Sequence, residues 1–277
     1  MYRNLLVHIP TERSPRPATD GSISLAMTCE AHLDAIAVGY ESANNVPFVA
    51  EGGAAVAAMF EIEHERAIER ANAALAVFEI EARAAKIIHK SRAIAGSLAE
   101  ATNLIGATAR LYDLTVVSQP EPESQSFDNL LPQEILFQAG GPVLVVPYTF
   151  RGALTRRRIG ICWDGSRLAA RALRDSMPLL SKANALSIIA VNEPVSAEAS
   201  SAKLIARLAA LGLPARAISI QSEPSNIQPT ILSVAADEGL DMLVMGGYGH
   251  SRLQETVRGG VTREMFRSMT VPTLLSH

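Results

Sequence analysis

Short apolar runs rich in β-branched residues alternate with alanine- and leucine-rich stretches along this chain of 277 residues. Such runs predict buried strands, and the stretches between them have the three- and four-residue spacing of helices. The predicted strands are Asn4 to Ile9, Leu33 to Val38, Ile87 to His89, Leu114 to Val117, Val143 to Val146, Ile159 to Trp163, Leu186 to Val191, Ala217 to Ile220, Met242 to Met245 and Val271 to Leu275. Because strands and helices alternate, we expect an α/β fold with a mostly parallel sheet covered by helices.

The two halves of the chain repeat one pattern. The segment from Asp113 to Ser118 aligns with that from Asp241 to Gly246, and each half ends on a strand that begins at a proline. We therefore predict two copies of one fold, residues 1–148 and 158–277, with residues 149–157 as the linker. A repeat pair joined by so short a linker is expected to pack as an intramolecular pseudo-dimer.

Composition excludes several classes of function. A net charge of -3 offers no basic surface for nucleic acid. The two cysteines, Cys29 and Cys162, lie one in each half and outside any CxxC motif, so neither a disulfide framework nor a metal site is expected. The chain contains no run of eighteen apolar residues and begins with no recognisable signal peptide, so we expect a cytoplasmic protein that does not enter a membrane.

A glycine-rich segment follows the strand at Met242 to Met245. Gly246-Gly247-Tyr248-Gly249 comes directly after that strand, and Gly259-Gly260-Val261-Thr262 opens the next predicted helix. Glycines let backbone amides approach a ligand, and free amides at a helix start favour an anion such as phosphate. The same pattern is compatible with an ordinary turn. Likewise, His250, Arg252 and Arg258 either reach phosphates or belong to a solvated loop.

The spacing of these glycines resembles a family motif. Two residues separate Gly246 from Gly249 and nine separate Gly249 from Gly259, which is similar to the Gly-x2-Gly-x9-Gly-Ser/Thr motif of the universal stress protein family. The strand ending at Asp164 and the strand ending at Val191 resemble the first two strands of that family. The resemblance implies two tandem Rossmann-like domains of the adenine nucleotide alpha hydrolase-like type, each a mostly parallel five-stranded sheet with helices on both faces.

The resemblance also implies a ligand and its contacts. The expected cofactor is ATP, ADP or AMP, with Mg as a candidate companion ion. Asp164 and the Val191 main chain would hold adenine, while the glycines would lie near ribose and phosphates. Asp164 is equally consistent with capping the helix that begins near Ser166. The assigned site residues are Asp164, Gly165, Ser166, Val191, Gly246, Gly247, Gly249, His250, Arg252, Gly259, Gly260, Val261 and Thr262.

Two departures from the family pattern qualify this assignment. Gly260 stands where the motif has a hydroxyl residue, so a side-chain donor is lost, although Thr262 and Ser251 are nearby. In the first half, the segment from Ser118 to Glu123 replaces the glycine motif. Its prolines lack amide donors and its glutamates repel phosphate, so we expect the first half to be a pseudo-copy that binds no nucleotide.

Two functions are consistent with the sequence and with its resemblance to this family. The first is a nucleotide-binding stress-response or regulatory protein with its ligand in the second half. No nucleophile and base in the sequence suggest a catalyst, so ATP hydrolysis would be slow at most. The second is a scaffold that binds no nucleotide and uses the long helical tract Ala50 to Arg83 for homodimerisation or partner docking. That tract is either one long helix or a helix-turn-helix with a solvated face.

Overall fold

The computed structural model describes residues 1–41, 53–193, 196–248 and 260–277. Its strands are β1 (Asn4–Ile9), β2 (His32–Tyr40), β3 (His89–Gly96), β4 (Leu114–Ser118), β5 (Val143–Val146), β6 (Arg158–Cys162), β7 (Ala185–Val191), β8 (Ala215–Ile220), β9 (Met242–Gly246) and β10 (Thr273–Ser276). Its α-helices are α1 (Arg16–Cys29), α2 (Gly53–Ala84), α3 (Leu98–Ala109), α4 (Leu131–Gln138), α5 (Arg167–Leu180), α6 (Ser201–Ala210), α7 (Ile227–Asp237) and α8 (Val261–Ser268).

All ten strands form one sheet in the order β3-β2-β1-β4-β5-β10-β9-β6-β7-β8. Neighbouring strands are parallel except at the centre, where β5 and β10 pair antiparallel with Leu144 opposite Leu274. The order within each half is the same, counted outward from this central pair. The α/β class and the mostly parallel sheet are therefore confirmed, but the strands form one ten-stranded sheet instead of two five-stranded sheets.

The predicted strands coincide with the observed ones to within a few residues, except for the third. That strand was predicted at Ile87 to His89 and lies at His89–Gly96. It forms one edge of the sheet, and its first half carries exposed polar side chains, so no apolar run marks it.

The long helical tract is a single helix in its described part. The helix α2 continues without a break from Gly53 to Ala84, so the helix-turn-helix alternative is wrong there. Its buried residues Ala67, Ala71, Leu75 and Phe78 pack on the sheet of its own half. Residues 57–66 of α2 are almost entirely exposed.

An equivalent aspartate ties the first strand of each half to the turn that precedes its fourth strand. The carboxylate of Asp113 accepts the amides of Arg3 (2.6 Å) and Asn4 (2.9 Å). The carboxylate of Asp241 accepts the amides of Arg157 and Arg158 (both 2.9 Å). The alignment of the two halves therefore extends from sequence to hydrogen bonding.

Two hydrophobic cores cover the two faces of the sheet. One contains side chains from α1, α2, α5 and α6, and the other contains side chains from α3, α4, α7 and α8. Each core includes residues from both halves of the chain. Residues 147–157 form neither helix nor strand and run along α1, where the Leu154 amide donates to Ser24 Oγ (2.8 Å). No helix in the described ranges has the length and apolar character needed to cross a membrane.

Candidate functional site

A cavity of about 1110 Å³ lies in the second half at the carboxyl ends of β6, β7 and β9. The connections from β6 and β9 leave the sheet in opposite directions, and ligands of open α/β sheets bind at such switch points. The volume is slightly above the roughly 300–1,000 Å³ common for small-molecule sites. Its lining residues are Cys162, Trp163, Asp164, Ser166, Leu168, Ala169, Ile189, Val191, Pro224, Ser225, Ile227, Gln228, Pro229, Ile231, Met245, Gly246, Gly260, Val261, Thr262 and Glu264.

The turn after β6 exposes Asp164 at the cavity. Gly165 has a φ of 71°, a left-handed conformation that glycine adopts without steric cost. Asp164 Oδ1 accepts the Ser166 amide (2.9 Å), and Ser166 Oγ accepts the Ala169 amide (3.1 Å) to cap α5. The N-cap is therefore Ser166, and the expectation that Asp164 caps this helix is wrong. The Asp164 side chain is exposed, and its hydrogen bond from the Ser166 amide stabilises the turn.

A close contact explains the glycine at position 246. A Cβ on Gly246 would lie 2.7 Å from the Ala169 nitrogen and 2.7 Å from the Leu168 carbonyl carbon, both in the first turn of α5. Any larger residue would push the end of β9 away from α5. Gly247 lies outside the cavity lining, where its amide donates to the Ser276 carbonyl (2.8 Å). The two glycines have different roles, because only Gly246 borders the cavity.

Tyr248 adopts an unusual backbone conformation where the glycine segment leaves β9. Its φ is 55°, which is unfavourable for a bulky side chain by about 1–2 kcal/mol. Its amide donates to Thr262 Oγ1 (2.9 Å), and its ring contacts Phe137 and Phe266. Such conformations persist only where the surroundings hold them, and they are common near binding sites. The Thr262 hydroxyl, which lines the cavity, thus already has a structural role.

The helix α8 begins at the cavity. Its N-cap is Gly260, which has no side chain to bond the first-turn amides, and Val261 and Thr262 follow it along the cavity wall. The amides and dipole of a helix start favour an anion. The charged lining side chains among the described residues are Asp164 and Glu264. Glu264 also lies 3.6 Å from Arg267, in an exposed ion pair.

Apolar and aromatic side chains form most of the remaining wall. Trp163, the one tryptophan of the chain, is 9% exposed, and its indole nitrogen donates to the Ala199 carbonyl (2.7 Å). Burial, reinforced by the charge of Asp164, raises the pKa of the Cys162 thiol to about 12, so this cysteine remains a thiol at neutral pH. The site therefore combines an apolar chamber with a few polar groups, as small-molecule sites do.

The sequence did not reveal the wall formed by residues 224–231. Pro224, Ser225, Ile227 and Gln228 line the cavity from the turn after β8 and the start of α7. The Gln228 side chain donates to Ser268 Oγ (2.8 Å), which ties α7 to α8. The position of this turn in the sequence could have indicated the wall. The turn follows the carboxyl end of a predicted strand, and binding sites of α/β proteins form at that edge of the sheet.

The structure brings together seven of the assigned site residues. Asp164, Ser166, Val191, Gly246, Gly260, Val261 and Thr262 all line the cavity. Gly165 and Gly247 adjoin it without lining it. The assigned residues Gly249, His250, Arg252 and Gly259 lie outside the described residues. Within the described ranges, no group of three or more histidine, cysteine, aspartate or glutamate residues is placed to hold a metal ion.

Comparison with known proteins gives one family match, several structural matches and no match among curated protein sequences. A universal stress protein from Archaeoglobus fulgidus DSM 4304 superposes with a TM-score of 0.72 at 16% identity, covering 98% of this chain and 95% of its own. A protein from Pseudomonas aeruginosa UCBPP-PA14 gives 0.59 at 15% identity, covering 99% and 93%. A functionally unknown protein from Pseudomonas aeruginosa PAO1 gives 0.58 at 14% identity, covering 99% and 92%.

At these identities the structural likeness establishes the fold alone. The family model covers residues 155–277, which include β6 to β10 and every assigned site residue. The second half of the chain therefore matches the universal stress protein family, and the whole chain has a fold seen in a universal stress protein.

Proposed function

We propose that the second half of this chain binds an adenine nucleotide, ATP or its lower phosphates, and that the protein is a ligand-responsive stress or regulatory protein. The chain is then a tandem of two universal-stress-protein-type domains, residues 1–148 and 158–277, joined by residues 149–157. The carrying observation is the cavity at the ends of β6, β7 and β9, where Asp164 and the start of α8 border one chamber. Its location is the binding crevice of open α/β sheets.

The two sides of the chamber suit different parts of a nucleotide. Trp163, Ile189 and Val191 offer apolar contacts on the side of the exposed Asp164 carboxylate, which can accept a hydrogen bond from an adenine amino group. The first amides of α8 offer donors for phosphate on the side of Gly260. Because Thr262 Oγ1 already accepts the Tyr248 amide, we expect the α8 backbone to contribute most of the phosphate contacts.

Calorimetric titration with ATP, ADP and AMP, with and without magnesium, tests this proposal. We expect Asp164→Ala to weaken binding about tenfold or more, because one hydrogen bond to a charged group contributes about 1.5–3 kcal/mol. Asp237→Ala removes an exposed carboxylate of α7 outside the cavity lining and is the matched control. Trp163 fluorescence provides a second readout. Absence of binding to all three nucleotides would reject the proposal.

A second candidate function is self-assembly through α2. Met59, Phe60 and Ile62 are 41%, 55% and 48% exposed, and they lie in the stretch of α2, residues 57–66, that is almost entirely exposed. Contiguous exposed apolar side chains are typical of interaction surfaces. Light scattering tests this function: a dimer that Phe60→Glu dissociates, and that is indifferent to ATP, would favour a scaffold over a nucleotide-responsive protein.

A further inference from the structure

A buried carboxylate occupies the first half where the second half has its cavity. Asp128 lies in the single turn Phe127–Asn129, shortly before α4, and is 0% exposed. We call the space at the carboxyl ends of β1, β2 and β4 the first-half crevice. Burying an ionised carboxylate is costly unless strong donors surround it, so its contacts identify what this crevice recognises.

Three donors bind the Asp128 carboxylate. Oδ2 accepts the amides of Thr11 and Glu12 (both 2.9 Å), and Oδ1 accepts the hydroxyl of Tyr40 (3.0 Å). The buried His8 Nε2 lies 3.6 Å from Oδ1. Two adjacent backbone amides and a hydroxyl form a compact anion site, and bonds of this kind to a charged acceptor are among the stronger hydrogen bonds in proteins.

The amides that hold Asp128 correspond to those of the turn beside the second-half cavity. Arg3 and Asn4 are equivalent to Arg157 and Arg158, since each pair donates to the aspartate before the fourth strand of its half. Counting onward from these residues, Thr11 and Glu12 fall at the positions of Gly165 and Ser166. The carboxylate therefore occupies the edge at which the second half leaves room for a ligand.

The segment that carries Asp128 is held by hydrogen bonds to Glu12 and from Arg13. Glu12 accepts bonds from Ser126 Oγ (2.9 Å) and from the Phe127 amide (2.7 Å). The Arg13 guanidinium donates to the backbone carbonyls of Gln119, Ser118 and Asp128. Asp128 also stands three residues before α4, as Arg258 stands three residues before α8. The sequence thus has an anion in the first half where the second half has a cation.

We propose that the first-half crevice is a carboxylate-binding site that the chain's own Asp128 occupies. The Thr11 and Glu12 amides and the Tyr40 hydroxyl recognise the anion. The hydrogen bonds that Arg13 donates and those that the Glu12 carboxylate accepts keep the Asp128 segment in place. Small carboxylates such as formate enter this site once the Asp128 side chain is removed. The proposal does not depend on nucleotide binding in the second half.

Rescue of Asp128→Ala by formate tests the proposal. Thermal unfolding is followed in sodium formate and in sodium chloride of equal ionic strength. We expect the substitution to lower the Tm on the order of 10 °C, because the donors lose a charged acceptor. Formate should restore most of this loss in a saturable manner, while chloride should not. Wild-type protein should respond equally to the two salts.

Two further variants separate site filling from a general salt effect. Asp113→Ala also removes a carboxylate that accepts two amides, but at an exposed position where solvent replaces it, so formate should give no specific rescue. Asp128→Asn fills the crevice, so formate should have no room to act. Equal formate responses in all three variants would overturn the proposal. If Asp128→Ala does not fold in chloride, its refolding yield must rise with formate, and the absence of such a rise would equally overturn it.

Discussion

At the scale of single residues, the two halves use carboxylates in different ways after their first strand. Asp164 braces its own turn through the Ser166 amide and remains exposed at an open cavity. In the first half, Pro10 follows β1 directly and cannot provide such an acceptor. The acceptor for the equivalent turn is Asp128, from a distant loop, and it is fully buried. The first half thus has Pro10 where the second half has Asp164, and its crevice is filled where that of the second half is open.

The burial of His8 predicts a pH-dependent stability. Burial is the main reason that the pKa of His8 falls from 6.5 to about 4. The charge of Asp128 opposes this shift, and the charge of Arg13 reinforces it. The native state therefore keeps His8 neutral while the unfolded chain binds a proton below 6.5. The stability from this residue is complete above pH 6.5 and declines as the pH falls towards 4, by about 2 kcal/mol near pH 5.

Urea unfolding near pH 7 and near pH 5 measures this effect. The free energy of unfolding should fall more in wild type than in His8→Gln, which cannot titrate. Exposed histidines and carboxylates contribute equally to both proteins and cancel in the comparison. An equal fall in the two proteins would show that the pKa of His8 is the same in the folded and unfolded states.

At the scale of secondary-structure elements, the site depends on how closely β9 approaches α5. That approach exists because Gly246 has no side chain. We expect Gly246→Ala to lower the free energy of unfolding by about 1–3 kcal/mol, since the added methyl group would displace the α5 backbone. Ligand affinity should fall as well, because Asp164 and Ser166 lie in the turn that leads into α5.

Gly141→Ala is the matched control for this substitution. The nearest atom to its added Cβ is the Tyr112 carbonyl oxygen at 3.9 Å, an ordinary contact. Its free energy of unfolding should therefore change by less than about 0.5 kcal/mol. Equal stability losses in the two variants, by urea titration, would contradict a specific role for the β9–α5 contact.

The sequence predicted those elements whose burial or backbone geometry produces a local pattern. The buried strand β5 is a continuous apolar run. Gly246, which was predicted to let the backbone approach a ligand, lines the cavity, but its contact with α5 was not predicted. The edge strand β3 has no such run. Asp128 was not predicted because its partners Thr11, Glu12 and Tyr40 lie far away in the chain, where they are brought together only by the topology of the sheet. Long-range polar networks leave no periodic signature.

At the scale of the whole molecule, the halves share a sheet and both cores. Antiparallel pairing of β5 with β10 removes the edge that each half would expose alone. Phe137 of α4 in the first half contacts the rings of Tyr248 and His277, both with centroids 4.7 Å apart, next to the start of the glycine segment. A side chain of the first half therefore contacts the start of the glycine segment, beside the candidate site.

This sharing predicts that the protein unfolds as one cooperative unit. Calorimetry should show a single transition for wild type, because separating the halves would expose both cores and the β5–β10 pair. Phe137→Ala should lower that transition by about 5 °C without splitting it, since it removes a half-buried ring from the contact between the halves. Leu111→Ala, which truncates a side chain that is 80% exposed, should leave the transition nearly unchanged. Two resolved transitions in wild type would instead mean that each half is stable without the other, and the contact of Phe137 with the second half would then be dispensable for folding.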